Sequence, residues 1–188
     1  MTVKEGIKQV ERAYEQLIEM NNSMSEAVDN VFMFTWQWWF GIGLFIIPWI
    51  IWFLFRNKES TGRLLIGGFV TIILSLIIDL IALSYGLWSY PMKFSPIAPL
   101  LFLPYHFSLA PVTIMFALQI KPRANSLLKG LIFAGIGAFI GMNFFAMIDF
   151  YDPKGWPMIY DFFIYLSLFF VANWFSNMDS FKKITDRS

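Results

Sequence analysis

The sequence predicts an all-α integral membrane bundle of five transmembrane helices preceded by an amino-terminal amphipathic helix. Three observations carry this. Of 188 residues, 57 % are apolar and only 14 % charged, against about 25 % charged in a soluble domain. Five segments, 34–55, 62–83, 99–120, 127–148 and 157–175, supply the run of about 20 apolar residues that a spanning helix needs. Between them stand RNKESTGR, GLWSYPMKFSP, KPRANS and DFYDPKGWP, whose charges, glycines and prolines are turn chemistry. The division that follows is an extracytoplasmic arm over 1–33, a transmembrane domain over 34–176 and a cytoplasmic tail over 177–188.

Composition also excludes. A net charge of +1 without a basic block offers nothing that would hold nucleic acid, which requires clustered Lys and Arg. Zero cysteines remove disulfides, thiol nucleophiles, zinc-thiolate sites and lipobox-type acyl anchors. No cofactor is expected. The segment MTVKEGIKQVERAYEQLIEM mixes charge with apolar residues and lacks the apolar core of a cleavable signal peptide, so the first span is expected to act as the targeting signal.

In the arm, Val3, Ile7, Val10, Tyr14, Leu17, Met24, Val28 and Val31 recur at alternating steps of three and four, with Asn21 in the remaining slot. Two readings stand. Asn21 occupies an a-type heptad position, where a buried amide sets coiled-coil register. Alternatively Asn21-Asn22 ends one helix, and Ser23 with Glu26 forms a capping box that starts a second. The second is preferred, because the flanking Gly6, Ala13, Met20 and Ala27 supply no charged pairs. The polar face is acidic (Glu5, Glu11, Glu15, Glu19, Glu26), which disfavours anionic lipid and leaves the protein's own surface or a partner to cover the stripe.

The spans sort their positive charges by side. Arg56, Lys58, Arg63, Lys121, Arg123, Lys129, Lys182, Lys183 and Arg187 fall on one side, whereas the second and fourth loops hold only Lys93 and Lys154 and the arm holds Lys4, Lys8 and Arg12, all more than 20 residues before the first span. An outside amino terminus and a cytoplasmic carboxyl terminus are expected. All eight tryptophans fall near span ends, as an interfacial aromatic belt would place them.

This topology brings the buried-type polar residues to one depth, counted at about 1.5 Å per residue. Asp79 lies near the outer end of span two, His106 inside span three, Asn143 near the outer end of span four and Asp161 one turn into span five. Asp79 closes a small or polar stripe, Gly68, Thr71, Ser75, Asp79, and His106 begins the row His106, Ala110, Thr113, Ala117. Such rows permit close helix approach, and span four has its own in Gly130, Ala134, Ala138, Gly137 and Gly141. A carboxylate in a bilayer requires a partner, and Asp79 with His106 is the economical pair. Tyr85 and Trp88, just beyond span two, complete the candidate ligand-binding set of Asp79, His106, Asn143, Asp161, Tyr85 and Trp88. No metal site is expected from one histidine and two carboxylates without enforced convergence. Purely structural hydrogen bonding between helices is the competing reading. Pro104 and Pro111 flank His106 and free the carbonyls of Leu100 and Phe107, predicting a broken helix beside a small wet recess.

The stretches GLWSYP (86–91) and FSLAPV (107–112), with the tryptophan-rich QWWFGIGLFIIPWIIW of span one and the Trp-Pro start of span five, resemble an uncharacterised family of small five-span membrane proteins of Gram-positive spore-forming bacteria. The resemblance covers nearly all of the chain beyond the arm and implies no known activity. It matches at Asp79 and departs at His106, Leu80 and Met142, where the family often carries acidic residues. GLWSYP followed by FLPYHF is similar, more distantly, to the small membrane subunits of lycopene cyclases; Tyr105 and His106 stand where that family has its acidic pair, so the resemblance does not carry catalysis over.

The expected function is therefore a multi-pass bacterial cell-membrane protein acting as a binding or accessory component through a polar pocket in the outer leaflet. Expected partners are the bilayer, a membrane protein or second copy of the chain, and a lipid ligand. The alternatives are a membrane-embedded enzyme in which His106 and Asp79 do acid–base work on a lipid or isoprenoid, and a small proton-linked carrier. The carrier is disfavoured by an odd number of spans without an internal repeat.

Overall fold

A computed structural model describes residues 2–97 and 101–178, and among these the ordered structure is helical, with a single isolated bridge pair in place of any strand. Four helices are long and apolar enough to cross a membrane: Trp36–Phe55 (α2), Thr61–Ser84 (α3), Ser126–Met147 (α5) and Met158–Ser176 (α6). With the arm helix Val3–Ala27 (α1) and a shorter helix over 103–119 (α4), they form an all-α membrane bundle.

α1 begins at a Thr2–Glu5 capping box: the Glu5 N–H donates to Thr2 Oγ1 (3.3 Å) and the Thr2 N–H to Glu5 Oε2 (2.7 Å). It then runs unbroken through Asn21, Asn22 and Ser23 into a π turn at Val28–Phe32. The expected restart at Ser23 and Glu26 does not occur. Once propagating, a helix tolerates these residues, and the Ser25 hydroxyl bonds back to the Asn21 carbonyl at 2.9 Å instead of capping anything. The same hydroxyl lies 3.0 Å from the Pro96 carbonyl, tying the foot of the arm to the bundle. Beyond that foot the stripe stays open: Val3, Ile7, Val10, Tyr14 and Leu17 are exposed, whereas Val28 is fully buried. The bundle's own surface therefore does not cover it.

Phe34, at a φ of 66°, turns the chain out of the arm, and Thr35 caps α2 by accepting from the Trp38 N–H. α3 is the central helix, packed between α4 and α6; α2 lies against α4, and α5 against α6. The stripe Gly68, Thr71, Ser75, Asp79 is buried throughout. That burial follows from the small side chains, since a Cβ on Gly68 would come within 3.0 Å of Met115 Sδ of α4.

α4 departs from expectation in two ways. The helix occupies 103–119, not 99–120, with the first residues of the expected span (including Leu100) lying outside the described residues. Between the two prolines it opens into a π turn, Tyr105–Leu109, before the α-helical Ala110–Gln119. The wider turn shifts the buried row to His106, Ala110, Ile114 and Leu118, leaving Thr113 exposed. The Phe107 carbonyl, which Pro111 cannot satisfy, accepts from Trp49 Nε1 of α2 at 2.8 Å. A side chain from the next helix thus answers the proline break.

α5 starts at Asn125, whose side chain accepts from the Leu127 N–H, and passes through a π segment at Ile136–Gly141. Gly130, Ala134 and Ala138 are buried and Gly137 lies over the Tyr165 ring of α6, but Gly141 meets no atom of another helix. Of the tryptophans, Trp36, Trp39 and Trp174 are exposed as a belt requires; Trp52 and Trp88 are buried and belong to the interior.

Candidate functional site

At the end of the bundle nearest the arm, two loops close over the helices. Ser89 and Asp152 exchange N–H to carbonyl bonds of 2.9 Å in both directions, and the Met92 N–H donates to the Asp149 carbonyl at 3.0 Å. Gly86 makes this possible: its φ of 65° reverses the chain directly after α3. The extended residues that follow turn Trp88 and Tyr90, two apart and so on one side, back onto α3.

They land on Asp79. Trp88 Nε1 donates to Asp79 Oδ1 at 2.7 Å and the Tyr90 hydroxyl to the same oxygen at 2.6 Å. The other oxygen, Oδ2, lies 2.9 Å from His106 Nε2, and His106 Nδ1 lies 3.0 Å from Ser75 Oγ. Asp79 and His106 are 2 % and 1 % exposed. Every oxygen of the carboxylate is thereby met by a donor, the condition under which a buried charge is tolerated. Ser75 Oγ is also 3.1 Å from the Ile72 carbonyl. Its one proton can go to that carbonyl, leaving Nδ1–H of an imidazolium to donate to Ser75, or to a neutral Nδ1. Both arrangements use the same heavy-atom positions.

The lid residues respond to the same charge. Burial, reinforced by Asp79, holds the Tyr90 phenol well above its ordinary range, so it remains a donor. Lys93, packed with its ammonium 5.6 Å from the Tyr90 ring centre, is pushed down to about 8 by burial, against the attraction of Asp79.

Beneath the lid is a cavity bounded by Asp79, His106, Phe145, Tyr151, Asp161 and Tyr165. The space open to water centres is about 40 Å³, room for about three waters at roughly 10–15 Å³ each. Tyr105 donates its hydroxyl to that of Tyr165 (2.9 Å), which lies 3.2 Å from Met142 Sδ. Asp161 Oδ1 accepts from Trp156 Nε1 at 3.0 Å. Asp161 Oδ2 and the Tyr151 hydroxyl are buried with no hydrogen-bond partner among the described residues.

Of the six candidate residues, four meet here: Asp79, His106 and Trp88 in one network, and Asp161 across the same cavity. Two do not. Tyr85 is 79 % exposed, because the turn after α3 directs it away from the lid. The Asn143 amide donates to the Phe139 carbonyl (2.7 Å) and Met158 Sδ (3.1 Å), a local satisfaction outside the cavity. Sequence reasoning missed Tyr90, Tyr151 and Trp156. The alternation of Trp88 and Tyr90 in GLWSYP was the available signal; nothing comparable marks Tyr151.

Fold and site together define a helical membrane protein with a lidded cavity at one end, mostly apolar in lining and bordered by Asp79, His106 and Asp161. No protein-family model, curated protein or solved structure matches the chain.

Proposed function

We propose that this protein is a binding or accessory component of a bacterial cell membrane, related to the five-span family it resembles, whose lidded cavity takes a small polar group. One observation carries this reading: two residues that line the cavity beside the Asp79–His106 pair, Asp161 and Tyr151, each have a buried polar atom (Oδ2 and Oη) without a partner among the described residues. Water in the cavity can meet these atoms in the free protein, and a ligand group that replaces it must supply the same bonds, since an unmet buried polar group costs about 1–3 kcal/mol. Native mass spectrometry of the detergent-extracted protein tests it. A retained small molecule, lost on Tyr151→Phe, is expected; a ligand-free spectrum for both proteins, in gently extracted samples, contradicts the reading. The open stripe of α1 is the surface offered to a protein partner or second copy, and the same spectra report it as a complex mass.

The orientation we propose places the arm and lid outside, supported by Arg56, Lys58, Arg63, Lys121, Arg123 and Lys129 at the opposite ends of the spans against Lys93 and Lys154 in the lid loops, with Lys4, Lys8 and Arg12 of the arm more than 20 residues before the first span. A cysteine introduced at Ser23 is expected to react with an impermeant maleimide in intact protoplasts and one at Ser126 is not. The reverse pattern inverts the topology.

A second reading is favoured by the row Ser75 Oγ, His106, Asp79, which has the connectivity of a hydrolytic triad. One feature opposes it: Ser75 sits in mid-helix, where backbone N–H groups are consumed by the helix and none is left to stabilise an oxyanion. A fluorophosphonate that labels Ser75 would establish the enzyme; absence of labelling is expected.

A further inference from the structure

We infer that the cavity is a recognition site for a primary ammonium group, held between Asp161 Oδ2 and Tyr151 Oη. This deepens the pocket reading and rests on it. The two carboxylates of the site are not equivalent. Asp79 is matched by three donors, one of them His106 Nε2, and among the described residues it is the only carboxylate within 4 Å of a basic side chain's nitrogen. Asp161, 5 % exposed, has a single donor on one oxygen and no cation. A ligand cation supplies what this carboxylate lacks.

The remaining features select the kind of cation. An anion would face both carboxylates. A quaternary ammonium has no N–H and would leave both unpartnered atoms unmet, whereas a primary ammonium carries three donors. The rings of Tyr165, Trp88 and Phe145 line the same cavity and offer π faces, which attract a cation within about 6 Å. The lid itself shows this chemistry, with the Lys93 ammonium 5.6 Å from the Tyr90 ring centre. Lys93 itself does not line the cavity. The space of about 40 Å³ suits a group of about three heavy atoms, the size of an aminoethyl unit. Asp161 sits in the first turn of α6, and the end of a spanning helix is the part that meets lipid headgroups. The shared chemistry is thus an aminoethyl-type amine, delivered either by a lipid headgroup or in free form.

The test uses the full chain in nanodiscs and reads the thermal unfolding midpoint and tryptophan emission, because Trp88 and Trp156 flank the site. Phosphatidylcholine discs receive ethanolamine or choline, and a second set of discs contains phosphatidylethanolamine. A raised midpoint with ethanolamine, and none with choline, identifies a free amine; a rise confined to phosphatidylethanolamine discs identifies the headgroup. Either supports the inference. Asp161→Asn is expected to weaken the response at least about tenfold, as loss of a charge-assisted hydrogen bond does. Should that variant not fold, Tyr151→Phe, which keeps the ring, carries the same expectation. An equal response to choline, no response to either amine source, or a wild-type response in the variants overturns it. A non-amine molecule retained in native spectra and lost on Tyr151→Phe would overturn the ammonium while leaving the pocket standing.

Discussion

Asp79→Asn and His106→Gln are each expected to destabilise the bundle by about 3–5 kcal/mol, because each strands the other partner in a site that is almost fully buried. The double variant is expected to cost less than the sum by about 0.5–3 kcal/mol. In Asp79→Asn the amide oxygen could still accept from Trp88 and Tyr90, but the side chain would no longer offer a charge to the imidazole at 2.9 Å. The cycle is measured by unfolding in detergent, with the four single-step differences taken at one temperature. Additivity within about 0.3–0.5 kcal/mol, the range seen for independent sites, would show that the contact carries no coupling.

Substitutions along the α5–α6 seam are expected to rank by the space each glycine leaves. At Gly130 a Cβ would stand 2.9 Å from Phe169 Cδ1, and Phe169 is wholly buried and has nowhere to go. Gly130→Leu should therefore cost about 1–3 kcal/mol or more through overpacking. Gly137→Leu is next, with a Cβ 3.4 Å from the Tyr165 ring; displacing that ring also strains its hydroxyl contact with Tyr105. Gly141→Leu meets only the Ile136 carbonyl of its own helix at 3.7 Å and should resemble Ile132→Phe on the exposed face, within about 0.5 kcal/mol of wild type. Thermal unfolding of the four variants reads the order. Equal effects would mean that the small residues do not mark a packing seam.

What could be read from the residues, and what could not, divides along a physical line. Four of the five expected spans and the buried face of α3 followed from local quantities, apolar run length and the spacing of Gly68, Thr71, Ser75 and Asp79, whereas the third expected span is the shorter helix α4. The Asp79–His106 juxtaposition followed from shared depth, the small-residue rows that carry the two residues and the cost of an unpaired carboxylate. Faces beyond a proline pair did not, because the π turn between Pro104 and Pro111 moves the buried row from Thr113 to Ile114. Asn21-Asn22 misled because turn-forming residues stop a helix only when nothing on either side propagates it, and here the Thr2 cap starts a helix that continues through them. The lid was the least legible part. Its position depends on a positive φ at Gly86 and on pairing with residues more than 60 positions away at Asp152, and no local pattern in DFYDPKGWP announces that Tyr151 turns inward.

His106 is the sole histidine of the chain, so selective 15N labelling of histidine gives a spectrum of this one ring. The account predicts a ring held in slow exchange with solvent, with Nε2 perturbed by Asp79→Asn and Nδ1 by Ser75→Ala, matching the contacts of 2.9 and 3.0 Å. Resonances of a freely exchanging imidazole, unmoved by either substitution, would contradict it.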